Sequence, residues 1–159
     1  MHIAVLTVSD SRGADQDSSG KYRKEAATAA GHQVLAKEIV RDDGYHLRAA
    51  LSRWIADSKI KVILRSGGTG ITGRDSTPEA LLPLLDQVSE GLGEIFRQIS
   101  FKDIGTSTVQ SRAIDGLANG TFIFCLPGSR RPGNQCLDVP GWDNSARDGY
   151  ACCHADLAA

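Results

Sequence analysis

The sequence predicts an α/β domain, a mostly parallel sheet flanked by helices, and three observations carry that reading. Short apolar runs alternate with segments whose apolar residues recur at helical spacing. Most of those runs end in loops rich in Gly, Ser or Asp, as parallel strands do where they hand over to a crossover helix. The length, 159 residues with 41% hydrophobic and 23% charged residues, suits one compact core rather than two.

Residues 2–8 form the first apolar run and open into Ser9-Asp10-Ser11-Arg12-Gly13. From Lys21 to Ala30, Tyr22, Ala26, Ala29 and Ala30 recur at helical spacing, with a serine as N-cap and Gly31 as the stop. Residues 34–40 read as a second strand. Leu47, Ala50, Leu51, Trp54 and Ile55 mark one face of a second helix, where Trp54 belongs to the core rather than to a stacking platform. Residues 61–64 are a third strand, ending in Ser66-Gly67-Gly68-Thr69-Gly70. Thr77 as N-cap and Pro78 at the first helical position start a helix carrying Ala80, Leu81, Leu84 and Leu85. A fourth helix bears Leu92, Ile95, Phe96 and Ile99. Val109, Ala113 and Leu117 suggest one more short helix before a last strand over residues 121–126.

Eighteen Lys plus Arg against 19 Asp plus Glu leave a formal net charge of −1, which disfavours binding nucleic acid through its phosphates. No apolar stretch is long enough to span a membrane, and the chain start has neither a basic region nor a cleavage site, so a cytoplasmic, soluble protein is expected. Cys125 lies alone, whereas Cys136, Cys152 and Cys153 crowd the last stretch without a C-x-x-C pair. That spacing suits free thiols in a reducing compartment better than a disulfide framework or a zinc site.

In such sheets ligands bind beyond the carboxyl ends of the strands. Three strand ends supply candidates there: Ser9, Asp10 and Asp17; Asp42 and Asp43; and the glycine loop with Arg74 and Asp75. Gly67, Gly68 and Gly70 let backbone N–H groups approach an anion closely, while Ser66 and Thr69 add hydroxyl donors. A phosphate cradle and a simple tight turn both fit this composition; the Rossmann and Walker A patterns do not. Asp75 and Asp42 are placed to share a hydrated Mg²⁺ bridging to a nucleotide phosphate, the alternative being solvated or helix-capping carboxylates. Arg112 is either a phosphate contact or a surface ion pair. His32 and His46 are isolated and suggest no catalytic dyad.

The run from Ser66 through Ile71-Thr72-Gly73-Arg74-Asp75-Ser76-Thr77-Pro78-Glu79-Ala80 resembles the signature of the MoaB/MogA family of molybdenum cofactor biosynthesis proteins. Leu6-Thr7-Val8-Ser9-Asp10 with Asp17-Ser18-Ser19-Gly20 is similar to that family's first loop, and residues 104–113, Ile104-Gly105-Thr106-Ser107 onward, to its MoaB branch. Ser66 stands where the family usually shows Thr and keeps a hydroxyl. The resemblance covers residues 2–129, so residues 1–129 are expected to form a molybdopterin-binding domain. It implies self-association as trimer or hexamer and adenylylation of molybdopterin with Mg-ATP, releasing pyrophosphate; a non-catalytic binding or scaffold protein of the same pathway is the alternative. Asp75 and Asp42 then fall on acidic positions that would hold Mg²⁺ and serve catalysis, with Asp43 as the alternative second acid. Ser66, Gly67, Gly68, Thr69, Gly70, Ser9 and Asp10 would bind substrate, with Ser107, Ser111, Pro127 and Gly128 lining the pterin. Residues 130–159 form an atypical tail, because Arg130-Arg131-Pro132-Gly133-Asn134 does not sustain the family's last helix. Its residues 137–151 resemble a segment of the MoeA molybdotransferases, with Arg147 in place of the usual Met, and make such an enzyme a candidate partner.

Overall fold

The computed structural model describes residues 1–10, 16–71 and 75–127. Alternating apolar and amphipathic segments build β1 (His2–Val8), α1 (Ser18–Ala29), β2 (Gln33–Val40), α2 (Gly44–Ile55), β3 (Val62–Ser66) and α3 (Thr77–Leu81). A 3-10 turn at Leu82–Leu84 leads to β4 (Gln87–Ser89) and α4 (Gly91–Ile104). A second 3-10 segment, Gly105–Gln110, precedes β5 (Ile114–Ala118) and β6 (Thr121–Leu126).

The strands form a six-stranded sheet in the order β2-β1-β3-β6-β5-β4. β2, β1, β3 and β6 run parallel; β5 and β4 are antiparallel additions at one end. From β1 the chain first moves outward to β2 and then crosses to β3 on the other side. That switch of direction falls between the carboxyl ends of β1 and β3, the place where open α/β sheets bind ligands.

β1 and β3 are buried almost throughout because both faces are covered. On one face Ala4, Leu6, Ile63, Ile123 and Cys125 pack with Leu47, Leu51, Trp54 and Leu81 of α2 and α3. On the other, Ile3, Val5, Leu64 and Phe124 pack with Ala27 of α1. Trp54 is 6% exposed and belongs to the core, as its place on the helix face implies. Cys125 is a free, buried thiol. No helix among the described residues is long and apolar enough to cross a membrane.

Several element boundaries differ from the sequence expectation. Residues 114–118 are a strand, not a helix, because Asn119 (φ 47°) and Gly120 (φ 72°) make a two-residue turn that folds β5 back on β6. β4 is an additional short strand. α1 begins three residues earlier than Lys21, capped by Asp17, whose carboxylate accepts the Gly20 N–H. At α3 the cap position is Ser76, without a side-chain cap bond, and the α-helix stops at Leu81. The proposed tail, including Cys136, Cys152 and Cys153, lies outside the described residues.

Candidate functional site

The loop that follows β3 lies at this switch point. Gly67 has φ +103° and Gly68 φ +53°, conformations that L side chains rarely adopt. There is no room for a side chain either: a Cβ at Gly67 would lie 2.5 Å from the Val8 carbonyl. At Gly68 it would lie 2.5 Å from the Asp42 carboxylate and 2.6 Å from the Thr77 hydroxyl.

The carbonyls of Gly67, Gly68, Thr69 and Gly70 are each engaged by a donor from the protein. Gly67 O accepts from Arg65 Nη1 and from Thr77 Oγ1 (3.3 Å). Gly68 O accepts the Thr77 N–H (3.2 Å) and Thr69 O the Arg112 N–H (3.2 Å), while Gly70 O accepts from Arg112 Nε (2.7 Å). A trans peptide points its C=O and N–H in opposite directions. Fixing the Gly67, Gly68 and Thr69 carbonyls toward these donors therefore turns the N–H groups of Gly68, Thr69 and Gly70 away from them, giving successive N–H dipoles suited to an anion. Ser66 and Thr69 are 1% and 3% exposed, and the buried Ser66 hydroxyl has no hydrogen-bond partner among the described residues.

Two carboxylates flank the loop. Asp42, just after β2, lies against Gly68; its Oδ1 accepts from Ser76 Oγ (3.0 Å) and the Ser76 N–H (3.3 Å). Asp75 lies against Gly70, where a Cβ would meet its Oδ2 at 2.7 Å. Asp43, the alternative second acid, is instead the cap of α2, accepting from the Tyr45 and His46 N–H groups at 2.9 Å each. The His46 N–H leads in holding its pKa below the usual value. Ser9 and Asp10 tie the first two strand ends together, through Ser9 N–H to Val40 O (2.9 Å) and Asp42 N–H to Asp10 Oδ1 (3.0 Å).

Asp17 holds a different junction. Its buried carboxylate accepts from Gly20 N–H (2.9 Å) and Thr7 Oγ1 (3.2 Å) and pairs with Lys37 Nζ at 3.0 Å. Burial alone would raise its pKa, but these partners together hold it below the usual value. It is thus a structural pin between α1, β1 and β2.

Arg112 serves as a clasp. Besides its bonds to Thr69 and Gly70, its Nη2 donates to Asp75 O (2.7 Å) and its Nη1 pairs with Glu79. It forms the expected surface ion pair, with Glu79, and beyond that bonds to Gly70 O and Asp75 O on either side of the 70–75 loop. Its neighbour Ser111 is thereby brought to the glycine loop, half-buried. Ser107 is exposed on the second 3-10 segment. Pro127 directly follows Leu126, whose carbonyl accepts the Gly67 N–H at 3.1 Å; Gly128 and Arg74 lie outside the described residues.

Mg²⁺ prefers oxygen ligands and usually takes one or two carboxylates together with substrate phosphates and water. Asp42 and Asp75, both against the glycine loop, fit that donor set. Among the described residues no group of three His, Cys, Asp or Glu side chains forms a metal cage, so such an ion would depend on the substrate for further ligands.

Two groups escaped the sequence reading. Thr77 fastens two loop carbonyls rather than capping α3. Arg65, inside β3, contacts the loop from within; burial pulls its pKa down to about 10, while Cys125, Asp42 and Asp75 oppose that shift.

The family model described as "Probable molybdopterin binding domain" matches residues 4–140. Molybdenum cofactor biosynthesis protein B of Escherichia coli K12 is 54% identical over 129 residues, which cover 81% of this chain and 76% of that protein. The protein of the same name from Bacillus cereus is 43% identical over 126 residues, 79% of this chain and 75% of that one. A crystal structure of a molybdenum cofactor biosynthesis protein B superposes with a TM-score of 0.89 at 35% identity, covering 97% and 96% of the two chains. MoaB of Pyrococcus furiosus, described as a tungsten cofactor synthesizing protein, gives a TM-score of 0.73 at 32% identity, covering 98% and 91%.

Proposed function

The chain belongs to the molybdopterin-binding domain family, as a MoaB-type protein of molybdenum cofactor biosynthesis, and from that premise we propose that it binds molybdopterin and adenylylates it with Mg-ATP. The terminal phosphate oxygen of molybdopterin attacks the α-phosphorus of ATP, forming one P–O bond while the bond to the β-phosphate oxygen breaks and pyrophosphate leaves.

The observation that carries this reading is the glycine loop, whose Gly67, Gly68, Thr69 and Gly70 carbonyls are held by protein donors between two flanking carboxylates. Its N–H groups suit phosphate oxygens, and their prior fixation makes them donors that need no reorganisation as charge shifts. Bound Mg²⁺ would neutralise charge developing on the transferring phosphate, and Asp42 and Asp75 are the residues that would hold it. The chain itself mainly positions: Thr77 and Arg112 fix the loop, and Ser111 and Pro127 border the pterin side. Self-association as a trimer or hexamer, and hand-over of product to a molybdotransferase, belong to the same proposal.

Incubation with molybdopterin and Mg-ATP tests it, with adenylylated product and pyrophosphate as the expected result. The second reading, a binding protein without turnover, draws support from the two hydrogen bonds by which Ser76 already occupies Asp42 Oδ1. Tight molybdopterin binding with no pyrophosphate released would favour it.

A further inference from the structure

Arg65 occupies a position where a cation is costly. It sits in a central strand beside Leu6 of β1 and Cys125 of β6, and it is 0% exposed, the largest fully buried side chain described. Among the described residues no carboxylate lies within ion-pair distance of it, and its Nε and Nη2 have no nitrogen or oxygen hydrogen-bond partner. The thiol beside it gives little relief: burial pushes Cys125 up to about 11 in spite of the guanidinium. Asp42 and Asp75 favour the charge only from beyond ion-pair distance, and even a closely paired buried charge can often be replaced by apolar residues of similar size without loss of stability. Core packing therefore does not account for Arg65.

The hydrogen bond it makes to an oxygen, its only such bond among the described residues, does. Nη1 donates to Gly67 O, the carbonyl that begins the pair of positive-φ glycines. The same peptide plane carries the Gly68 N–H, pointed the opposite way. Thr77 Oγ1 reaches that carbonyl too, but at 3.3 Å and as a neutral donor, whereas a charged donor makes the stronger bond. We infer that Arg65 is a positioning residue, a strut inside the sheet that holds the Gly67–Gly68 peptide with its N–H directed at a phosphate or pyrophosphate ligand. The inference rests on the phosphate reading of the loop, and it adds a reason for a charge that the fold itself does not need.

Two variants separate this role from packing. Arg65→Met keeps an unbranched apolar stem without charge or donor; Arg65→Lys keeps a cationic donor. Binding of inorganic pyrophosphate is followed by calorimetry, melting temperature by fluorescence, and the Gly68 amide by its nitrogen-15 resonance and hydrogen exchange. The Met variant should melt at the wild-type temperature or above it, shift the Gly68 amide, and bind pyrophosphate on the order of tenfold more weakly, as loss of a charge-assisted orienting bond implies. Lys should restore most of the affinity. An unmoved Gly68 amide with unchanged affinity in Arg65→Met overturns the strut, and so does a fall in melting temperature that accounts for the weaker binding. Should the wild type itself not bind pyrophosphate, the phosphate reading fails, and the Gly68 amide alone then decides whether Arg65 orients the loop.

Discussion

Gly68 concentrates the demands on the site in one residue, because its positive φ and the closeness of Asp42 and Thr77 exclude a side chain for two separate reasons. Gly68→Ala should cost about 1–3 kcal/mol in urea denaturation, the range for a non-glycine residue held in the left-handed region. It should also abolish pyrophosphate binding in the fraction that remains folded. Asp75 makes a different prediction. Asp75→Asn keeps the side-chain size while removing the charge proposed to hold Mg²⁺. Molybdopterin binding should survive, and adenylyl transfer should fall on the order of 10²-fold or more, as when an interaction with transition-state charge is lost. Equal rates for an active wild type and the Asn variant would remove Asp75 from the metal site.

Between elements, the junction at Asp17 is the most exposed to a single change, since one carboxylate caps α1, accepts from Thr7 of β1 and pairs with Lys37 of β2. Asp17→Ala should lower stability by about 2 kcal/mol in chemical denaturation, mostly through the lost cap and the unmade bonds. The alternation of apolar runs with amphipathic helices made β1, α1, β2, α2, β3 and β6 legible in the sequence, because burial on both sheet faces leaves an unbroken apolar signature. The 114–118 segment was misread because Ala113 and Leu117 happen to fall four apart, while the Asn119-Gly120 turn signal after them was passed over. In the candidate site, the gathering of Asp42, Asp75 and the glycine loop was readable from their placement at strand ends. What escaped was any role acting through the backbone of another residue. Thr77 read as a cap, Arg112 as a phosphate contact or surface charge, and Arg65 fell beyond the expected end of β3, where a charge suggests solvent and not the protein interior.

For the molecule as a whole, the switch of direction at β1 and β3 places the proposed chemistry over the parallel half of the sheet, with the antiparallel β5–β4 extension at the far end. That extension carries its own titrating group. Asp115, on β5 and 6% exposed, is pushed by burial up to about 6, with Ser89 opposing the shift. Its folded-state value thus lies above the ordinary 3.8, so the folded chain holds the proton more tightly than the unfolded one. Its contribution to stability is full below the ordinary value of 3.8 and is lost as pH rises through about 6. Asp17, Asp43 and Glu79 are held low and act in the opposite sense, their contributions being lost as pH falls through the acid range. The urea midpoint of the wild type minus that of Asp115→Asn should therefore drop between pH 4 and 6 and be level above; a flat difference would mean the carboxyl is better solvated than its burial indicates.

The interior guanidinium of Arg65 also gives the protein a thermal character. Hydration of ions becomes less favourable on warming, so the penalty for withholding water from a charge shrinks as temperature rises. The stability that Arg65→Met gains over the wild type should then be widest in the cold and narrow with heat, readable as converging unfolding free energies between about 10 °C and about 40 °C. A charge placed for orientation thus weighs least on the fold in the warmest conditions.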